Sequence, residues 1–382
     1  MICEKKDCTG CFACFNICPK RCIQLVPDSQ GHIYPEIDKK LCINCKLCEK
    51  VCPSINKLEL KYPKKCFASW AKDTIERETS TSGGLASVFS KYILEIGGVV
   101  FGTVIENDLT VNHKMITNTE ELNKTKGSKY VHSYINNTFI QAKEQLEAGK
   151  TVLFIGTPCQ IAGLKSYLRK NYDNLYTIDL ICHGVPSQKM LKEELNQYNA
   201  NSFSFRDEKG YNLSLFQDDK LIKKMSMPKS PYFYSFLHNI SLRENCFSCL
   251  YARPERISDI TIGDFWGLKE LENTKIEKDK GISVVLPITD KGLELIKKCE
   301  DKLFLEEKHV DEALKGNNQL NMPSKKSHQT DYFNELYPKF NFDIAAKKAS
   351  NYYSLKNMII RVIYSKTKLL DLLRKVKRII KK

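Results

Sequence analysis

Two stretches of sequence, CTGCFACFNICP (residues 8–19) and CINCKLCEKVCP (residues 42–53), decide the fold of the N-terminal region. Each stretch contains four cysteines in the spacing C-x2-C-x2-C-x3-C, followed directly by proline. Three cysteines spaced by two residues can wrap one inorganic centre from a single tight loop. Zinc sites normally use paired C-x2-4-C knuckles rather than triplets. A zinc ribbon or a disulfide-bonded framework is therefore only the alternative interpretation.

The repeated spacing is the one by which bacterial-type ferredoxins hold two [4Fe-4S] clusters. In such proteins the fourth cysteine of each run binds the cluster of the other run. We also expect this cysteine to start a short helix. We therefore assign the cluster ligands as two sets, Cys8, Cys11, Cys14 and Cys52 for the first and Cys42, Cys45, Cys48 and Cys18 for the second. Turn residues and alternating side chains between the runs predict a small hairpin packed on the clusters. Residues 1–58 are thus predicted to form an α+β ferredoxin-like 2[4Fe-4S] module that transfers electrons.

The length and cysteine content indicate a protein of several domains that binds metal. A chain of 382 residues is long enough for two or three domains. Its 16 cysteines favour metal binding over disulfides in an intracellular protein. The first cysteine run starts too early to leave room for a secretory leader, and no apolar stretch approaches the ~20 residues that span a bilayer. We expect a cytoplasmic protein.

The net charge of +15 is concentrated at the C-terminus. Residues 355–382 contain ten Lys and Arg residues against one Asp, which leaves about +6 for the rest of the chain. Global basicity is therefore weak support for nucleic-acid binding, and we expect no nucleic-acid partner. Apolar residues spaced by three and four predict a basic amphipathic helix over 355–382, which is typical of peripheral contact with the inner membrane surface or with a partner. The alternative is a terminal helix packed on the protein's own core.

Residues 65–345 show the pattern of a larger α/β domain. Its clearest unit is a strand over 152–155, a helix over 160–170 and a strand over 175–181, which predicts a β-α-β unit in a mixed or parallel sheet covered by helices. The other predicted elements are strands over 66–70, 99–105, 202–205, 212–216, 221–225, 259–262 and 282–286, and helices over 83–96 and 290–298.

Four further cysteines lie where they could form a third site. Cys159 and Cys182 follow the two strands of the β-α-β unit, whose carboxyl ends meet at one edge of a sheet, and Cys246 and Cys249 form a C-x2-C pair. Together they could hold a third [4Fe-4S] cluster. Separate buried thiols, or a nucleophilic Cys159 at a helix N-terminus, are the alternatives. The remaining four cysteines are predicted to be non-ligands that pack as small hydrophobes: Cys3, Cys22, Cys66 and Cys299.

Three glycine-containing loops have the composition of cofactor-binding segments. They are TSTSGG (79–84), KGSKY (126–130) and ITIGDFWG (260–267). A Ser/Thr/Gly run before a helix can bind phosphate, although it can equally serve as a helix cap. No G-x-G-x-x-G fingerprint follows a predicted strand, so a Rossmann dinucleotide site is not expected.

In this order, the segments between residues 65 and 318 resemble the beta-subunit family of coenzyme F-420 hydrogenase/dehydrogenase, here fused to the ferredoxin module. The segments that carry the resemblance are SGG (82–84), GSKY (127–130), GTPCQ (156–160), ICHG (181–184), the Cys246–Cys249 pair and IGD (262–264). The resemblance implies FAD in the α/β core and an iron–sulfur cluster near it, which favours the third cluster. It assigns flavin contacts to Thr81, Ser82, Gly83, Gly84, Lys126, Ser128 and Lys129. Asp264 would lie beside the flavin, or would cap a helix.

The expected function is that of an iron–sulfur flavoprotein oxidoreductase. Electrons would pass between a soluble ferredoxin or another redox protein, the [4Fe-4S] clusters and FAD, with two-electron reduction or oxidation of an unidentified organic substrate. The resemblance extends to relatives in polysaccharide biosynthesis. The alternatives are a non-catalytic electron-transfer subunit, a deazaflavin (coenzyme F-420) oxidoreductase, and an iron–sulfur protein with a structural or redox-sensing role. No catalytic residue follows from the sequence.

Overall fold

The computed structural model describes residues 2–207, 210–271 and 280–350. The predicted helix over 355–382 lies outside the described residues. In the described part of the chain, no helix is long and apolar enough to cross a membrane.

The elements follow one another in a mixed α/β order. The strands are β1 (Ile23–Pro27), β2 (Ile33–Ile37), β3 (Cys66–Ala71), β4 (Val99–Ile105), β5 (Val111–Ile116), β6 (Val152–Gly156), β7 (Leu175–Leu180), β8 (Ser202–Asp207), β9 (Gly210–Gln217), β10 (Lys220–Ser226), β11 (Ile260–Asp264), β12 (Ser283–Pro287) and β13 (Leu303–Lys308). The α-helices that lie wholly within the described residues are α1 (Ala13–Ile17), α2 (Leu47–Lys50), α3 (Thr74–Glu78), α4 (Leu85–Glu95), α5 (Thr119–Asn123), α6 (Thr138–Glu147), α7 (Pro158–Leu168), α8 (Gln188–Leu195), α9 (Pro231–Leu237), α10 (Asp290–Lys298), α11 (Val310–Gly316) and α12 (His328–Leu336). Short 3-10 segments lie at Lys5–Asp7, Met227–Lys229, Glu244–Ser248, Glu300–Lys302 and Asn318–Leu320.

The N-terminal module has the same local structure in both cysteine runs. Phe12 and Lys46, each the residue after the second cysteine of its run, adopt left-handed backbone conformations and precede α1 and α2. The strands β1 and β2 form the predicted antiparallel hairpin. The prediction that the fourth cysteine starts a helix is wrong. Helix α1 ends before Cys18, which has an extended backbone and follows the helix that carries Cys14.

The main sheet contains eight of the described strands in the order β13-β3-β12-β11-β7-β6-β4-β5. It is mixed: the pairs β4–β6, β6–β7 and β7–β11 are parallel, and the other pairs are antiparallel. Helix α7 connects the parallel strands β6 and β7, so the predicted β-α-β unit is confirmed. Side chains of β6 and β7 are almost entirely buried, as expected for parallel strands covered on both faces.

A second, three-stranded antiparallel sheet is formed by β8, β9 and β10. The sequence predicted these strands but not their separation from the main sheet. Their apolar side chains pack with α9 in a core that includes Phe205, Tyr232 and Phe233. This small sheet places Arg206, at the end of β8, beside Asp264, at the end of β11.

The ferredoxin-like module packs directly on the main domain. Cys11, Phe12 and Ala13 belong to the same buried cluster as Phe139 and Ile161 of the main domain. Gly163 of α7 permits this contact, since a Cβ at that position would lie 2.7 Å from the Cβ of Cys11. The segment from Cys11 to Ala13 in the first cysteine run is therefore buried between the module and the main domain.

Candidate functional site

The structure brings together the four cysteines of the first predicted cluster. Burial, with smaller contributions from the neighbouring Cys52 and Cys8 thiols, raises the pKa of Cys11 to about 12. Burial also raises the pKa of Cys14 well above its usual value, again with contributions from Cys11, Cys8 and Cys52. Such mutual effects require the four thiols to lie close together. Cys52 thus joins the first run, although it belongs to the second in sequence.

The second set surrounds a small cavity at the molecular surface. Its four thiols, those of Cys18, Cys42, Cys45 and Cys48, all line this cavity. Cys45 is exposed, whereas Cys8, Cys11 and Cys52 of the first set are buried. The two sets therefore have the cross-over composition assigned from the spacing but opposite exposures.

Two cysteines predicted as non-ligands lie against the two sets. The Sγ atoms of Cys22 and Cys18 are 3.4 Å apart, and Cys22 also contacts Cys42. The Cys3 thiol lies beside those of Cys8 and Cys52. Sequence reasoning missed both neighbours because they lie outside the repeated spacing.

A fully buried arginine, Arg243, connects the module with the main domain. Its Nε donates to the carbonyl oxygen of Cys8 at 2.8 Å, and one Nη donates to Cys8 Sγ at 3.5 Å and to the Ile33 carbonyl at 3.0 Å. The guanidinium also lies over the Tyr34 ring, 4.1 Å from its centroid. Cys3, followed by Arg243, lowers the pKa of Cys8 to about 6 against the effect of burial.

The four cysteines of the predicted third site are also brought together. Cys159 lies in the first turn of α7, Cys182 follows β7, and Cys246 and Cys249 lie in and directly after the segment Glu244–Ser248. Burial, with smaller contributions from the neighbouring Cys182 and Cys249, raises the pKa of Cys159 to about 12. The pKa of Cys246 is well above its usual value for the same reasons. Gly184 allows close packing here, since a Cβ would lie 3.2 Å from that of Cys246.

The three thiol groups agree with iron–sulfur clusters in their donor chemistry. All four donors in each group are thiols, the ligands that hold such clusters. Among the described residues, no three His, Cys, Asp or Glu side chains form the compact shell of a single metal ion. A four-iron cluster is a cube, and it holds its thiolates further apart than one ion does.

A cavity of ≈ 340 Å³ lies beside the third cysteine group. It is lined by all but one of the residues assigned to the flavin: Thr81, Ser82, Gly84, Lys126, Ser128, Lys129 and Asp264. Cys182 and His183 form part of the same wall, so the cavity and the third group are neighbours. Gly83 lies behind the wall, where its N–H donates to Ser283 Oγ at 2.9 Å and a Cβ would come within 2.5 Å of the Ser69 carbonyl oxygen.

Two of the loops predicted to bind a cofactor, residues 79–84 and 126–130, meet at this cavity, and only the second carries charged side chains. The hydroxyls of Thr81 and Ser128 are 3.1 Å apart. Lys126 pairs with buried Glu76 at 2.8 Å, which offsets its charge. Lys129 donates to the carbonyl oxygens of Thr125 and Lys126, at 2.6 and 2.7 Å. Burial lowers the pKa of Lys129 to about 7.

The wall of the cavity also carries an ion pair and an aromatic ring. Asp264 accepts from Arg206 at 2.7 Å, and the guanidinium lies 5.0 Å from the centre of the Tyr211 ring. Asp264 is the last residue of β11 and does not cap a helix. Arg206 and Gln160 also line the cavity but were missed from the sequence. The Gln160 position could have been found, because its Oε1 accepts from Thr157 N–H at 2.9 Å in a capping arrangement that follows β6.

The residues that line the cavity fit an anionic, partly apolar cofactor such as FAD. Phosphate groups could be bound by the hydroxyls of Thr81 and Ser128 and by the start of α4. Lys129 also suits phosphate, since it is half-buried and has no carboxylate partner among the described residues. Ile155, Phe236 and Ile262 provide apolar surface in the same wall. The cavity volume is within the ordinary range for ligand sites.

These features define an iron–sulfur redox protein. Residues 7–56 match the family described as "4Fe-4S dicluster domain". Residues 149–313 match the family described as the C-terminal part of the beta subunit of "Coenzyme F420 hydrogenase/dehydrogenase". The chain thus contains a region that matches the coenzyme F-420 hydrogenase/dehydrogenase beta-subunit family, residues 149–313, and an N-terminal dicluster domain, residues 7–56.

Individual relatives were found for the module and for most of the chain. An uncharacterised ferredoxin of Methanocaldococcus jannaschii is 36% identical over 54 residues, which are 14% of this chain and 69% of the ferredoxin. A chain of the F420-reducing [NiFe] hydrogenase complex from Methanosarcina barkeri matches 76% of this chain and 89% of its own length. The latter similarity has 17% sequence identity and a TM-score of 0.45, and it does not bear on function.

Proposed function

We propose that this protein is an iron–sulfur flavoprotein oxidoreductase. It exchanges single electrons with a redox partner protein at the ferredoxin-like module and exchanges electron pairs with an organic small molecule at the cavity. Bound [4Fe-4S] clusters supply one-electron steps, and bound FAD combines these into a two-electron transfer.

The observation that carries the proposal is the order of the three cysteine groups. The second group opens to the surface, the first is buried against α7, and the third borders the cavity. Arg243 contacts Cys8 of the first group and lies three residues before Cys246 of the third. This order supports a route for electrons that runs between the surface and the cavity.

The cavity residues have separate roles in this proposal. Thr81, Ser128 and Lys129 bind the anionic part of the cofactor. The Arg206–Asp264 pair forms another part of the wall, where the two partly buried charges neutralise each other. Cys182 belongs both to the third cysteine group and to the cavity wall, and therefore connects the two.

Anaerobic reconstitution tests the cofactor content. We expect about twelve irons per chain if each of three four-cysteine groups holds one cluster, together with flavin that is released on denaturation and identified by its absorbance. The double variant Cys246→Ser, Cys249→Ser should lose about four irons and retain the ferredoxin-type pair. The control Cys299→Ala removes a buried thiol outside the three groups and should lose none. Unchanged iron in the double variant would contradict the third cluster.

Flavin retention tests the cavity. Lys129→Met should release flavin more readily than Lys124→Met, an exposed neighbour. Since the pKa of Lys129 is lowered to about 7, its charge is present below that pH and is lost above it. Flavin affinity of the apoprotein should therefore fall as the pH rises through about 7, and this dependence should be absent in Lys129→Met.

Turnover by the isolated chain separates an enzyme from an electron-transfer subunit. An enzyme that has been reduced by dithionite reduces a small molecule without added protein, or the oxidised enzyme oxidises a small molecule and becomes reduced itself. A relay subunit becomes reduced but transfers electrons only to a further protein. Assays with the deazaflavin coenzyme and with sugar precursors of polysaccharides test the substrate alternatives directly.

A further inference from the structure

The surface around the second cysteine group is unusually apolar for an exposed part of the molecule. Leu41 and Ile43, on either side of Cys42, are each 57% exposed. Cys45 is itself exposed. Large apolar side chains beside a redox site at the surface are typical of a contact made with another protein.

The same surface is bordered by basic residues. Lys20 and Lys46 line the cavity of the second group, and Lys39 and Lys40 directly precede Leu41. These four lysines are exposed and make no ion pair among the described residues. Between residues 18 and 50 the acidic residues are Asp28, Glu36, Asp38 and Glu49, and Asp28 already pairs with Lys5. The thiolate-bound cluster is itself anionic, so the lysines both offset its charge and extend a positive field into solvent.

We propose that Lys20, Lys39, Lys40, Leu41, Ile43 and Lys46, here called the docking face, bind a small acidic electron-carrier protein. This inference rests on the proposed function and specifies where and with what charge the partner binds. In the transfer step the carrier loses one electron and the second cluster gains it. No covalent bond is formed or broken, and no proton is transferred. An apolar centre with a charged border suits a brief encounter, in which steering by charge raises the association rate.

The first cysteine group does not offer an equivalent surface. Cys8, Cys11 and Cys52 are each at most 9% exposed, and the module packs on α7 at Cys11. A partner protein therefore reaches the second group more closely than the first. This difference in exposure therefore favours the docking face as the place where electrons are exchanged with a partner protein.

Stopped-flow reduction tests the docking face. The reconstituted full-length protein is mixed with a purified, reduced, acidic 2[4Fe-4S] ferredoxin, and cluster bleaching is followed. The variant Lys20→Glu, Lys39→Glu, Lys40→Glu should lower the second-order rate constant at least about tenfold at low salt. The difference should disappear near ~1 M salt, where the Debye length is about 3 Å.

A matched variant controls for total charge. Lys150→Glu, Lys297→Glu, Lys339→Glu changes the same number of exposed lysines elsewhere on the described surface and should leave the rate close to that of the unaltered protein. A second variant, Leu41→Ser with Ile43→Ser, should slow the reaction without changing its salt dependence. Equal rates for the two triple variants, or a rate constant of the unaltered protein that increases with salt, would overturn the proposal.

A small reductant separates failure of the docking face from failure of the proposed function. Dithionite should reduce clusters and flavin in every variant, since it needs no protein interface. Suppose that dithionite reduces the clusters and flavin in every variant, but the rate constant with ferredoxin is the same with and without the lysines. The docking face is then wrong, and the proposed function stands. If the unaltered protein holds no flavin, the proposed function itself fails.

Discussion

The two cysteine groups of the N-terminal module share one spacing but occupy different environments. The first is buried against α7 and contacts Arg243, whereas the second opens to the surface beside exposed Leu41. The potential of an iron–sulfur cluster depends on hydrogen bonds to the sulfurs and on solvent exposure. Residues far from the repeated motif therefore distinguish two groups that the motif makes equivalent.

The largest expected effect comes from removing one ligand from each group in turn. Cys11→Ser should abolish the first cluster and stop ferredoxin-driven reduction of the flavin, while the second cluster is still reduced by the carrier. Cys45→Ser should abolish the second cluster, so the carrier should reduce neither the first cluster nor the flavin. Iron analysis and low-temperature EPR of both variants measure the outcome. If Cys11→Ser left flavin reduction intact, the first group would not lie on the route.

The next effect tests the burial of the first group. In Gly163→Ala the new Cβ would lie 2.7 Å from that of Cys11, so we expect a loss of about 1–3 kcal/mol in the free energy of unfolding, as in other overpacked cores. The second group should keep its EPR signal. Denaturant unfolding measures the loss, with Ser166→Ala on the same helix as the control. If only the second group lost its EPR signal, the second group and not the first would depend on the packing at Gly163.

The sequence was most informative where ligand chemistry fixes spacing. The cross-over assignment of Cys52 and Cys18 agrees with the thiols that the structure groups, because a cluster pair constrains both runs at once. The β-α-β unit around Cys159 followed from strong periodicity and a short loop. Positions such as Arg206 and Arg243 could not be predicted, since a single arginine in a strand or loop gives no pattern. Their roles arise from long-range packing, which local sequence does not encode.

A smaller effect concerns the charge of Arg243. A buried cation near Cys8 stabilises the reduced, more negative state of the first cluster, so Arg243→Gln should lower its midpoint potential. We expect a change of about tenfold in the reduction equilibrium, which is ~59 mV for one electron. EPR-monitored redox titration measures it for both clusters. Arg243→Lys, which keeps the charge, should recover part of the shift.

The second cluster provides the internal reference for that titration. Arg21→Gln removes an exposed cation near Cys22, where water and salt screen the charge, and should shift the second potential much less. Equal shifts of the two midpoint potentials would mean that burial does not change how strongly a nearby charge acts on each cluster.

The smallest effect concerns the two thiols beside the clusters. Cys3 contacts Cys8 and Cys52, and Cys22 contacts Cys18 and Cys42, so each lies against thiols from both runs. If both are neighbours and not ligands, Cys3→Ala and Cys22→Ala should retain all iron. Each should shift only the potential of its own cluster, by less than the ~59 mV that corresponds to a tenfold change. Loss of iron in Cys22→Ala alone would identify a ligand exchange at the second group, which is more accessible to water than the first.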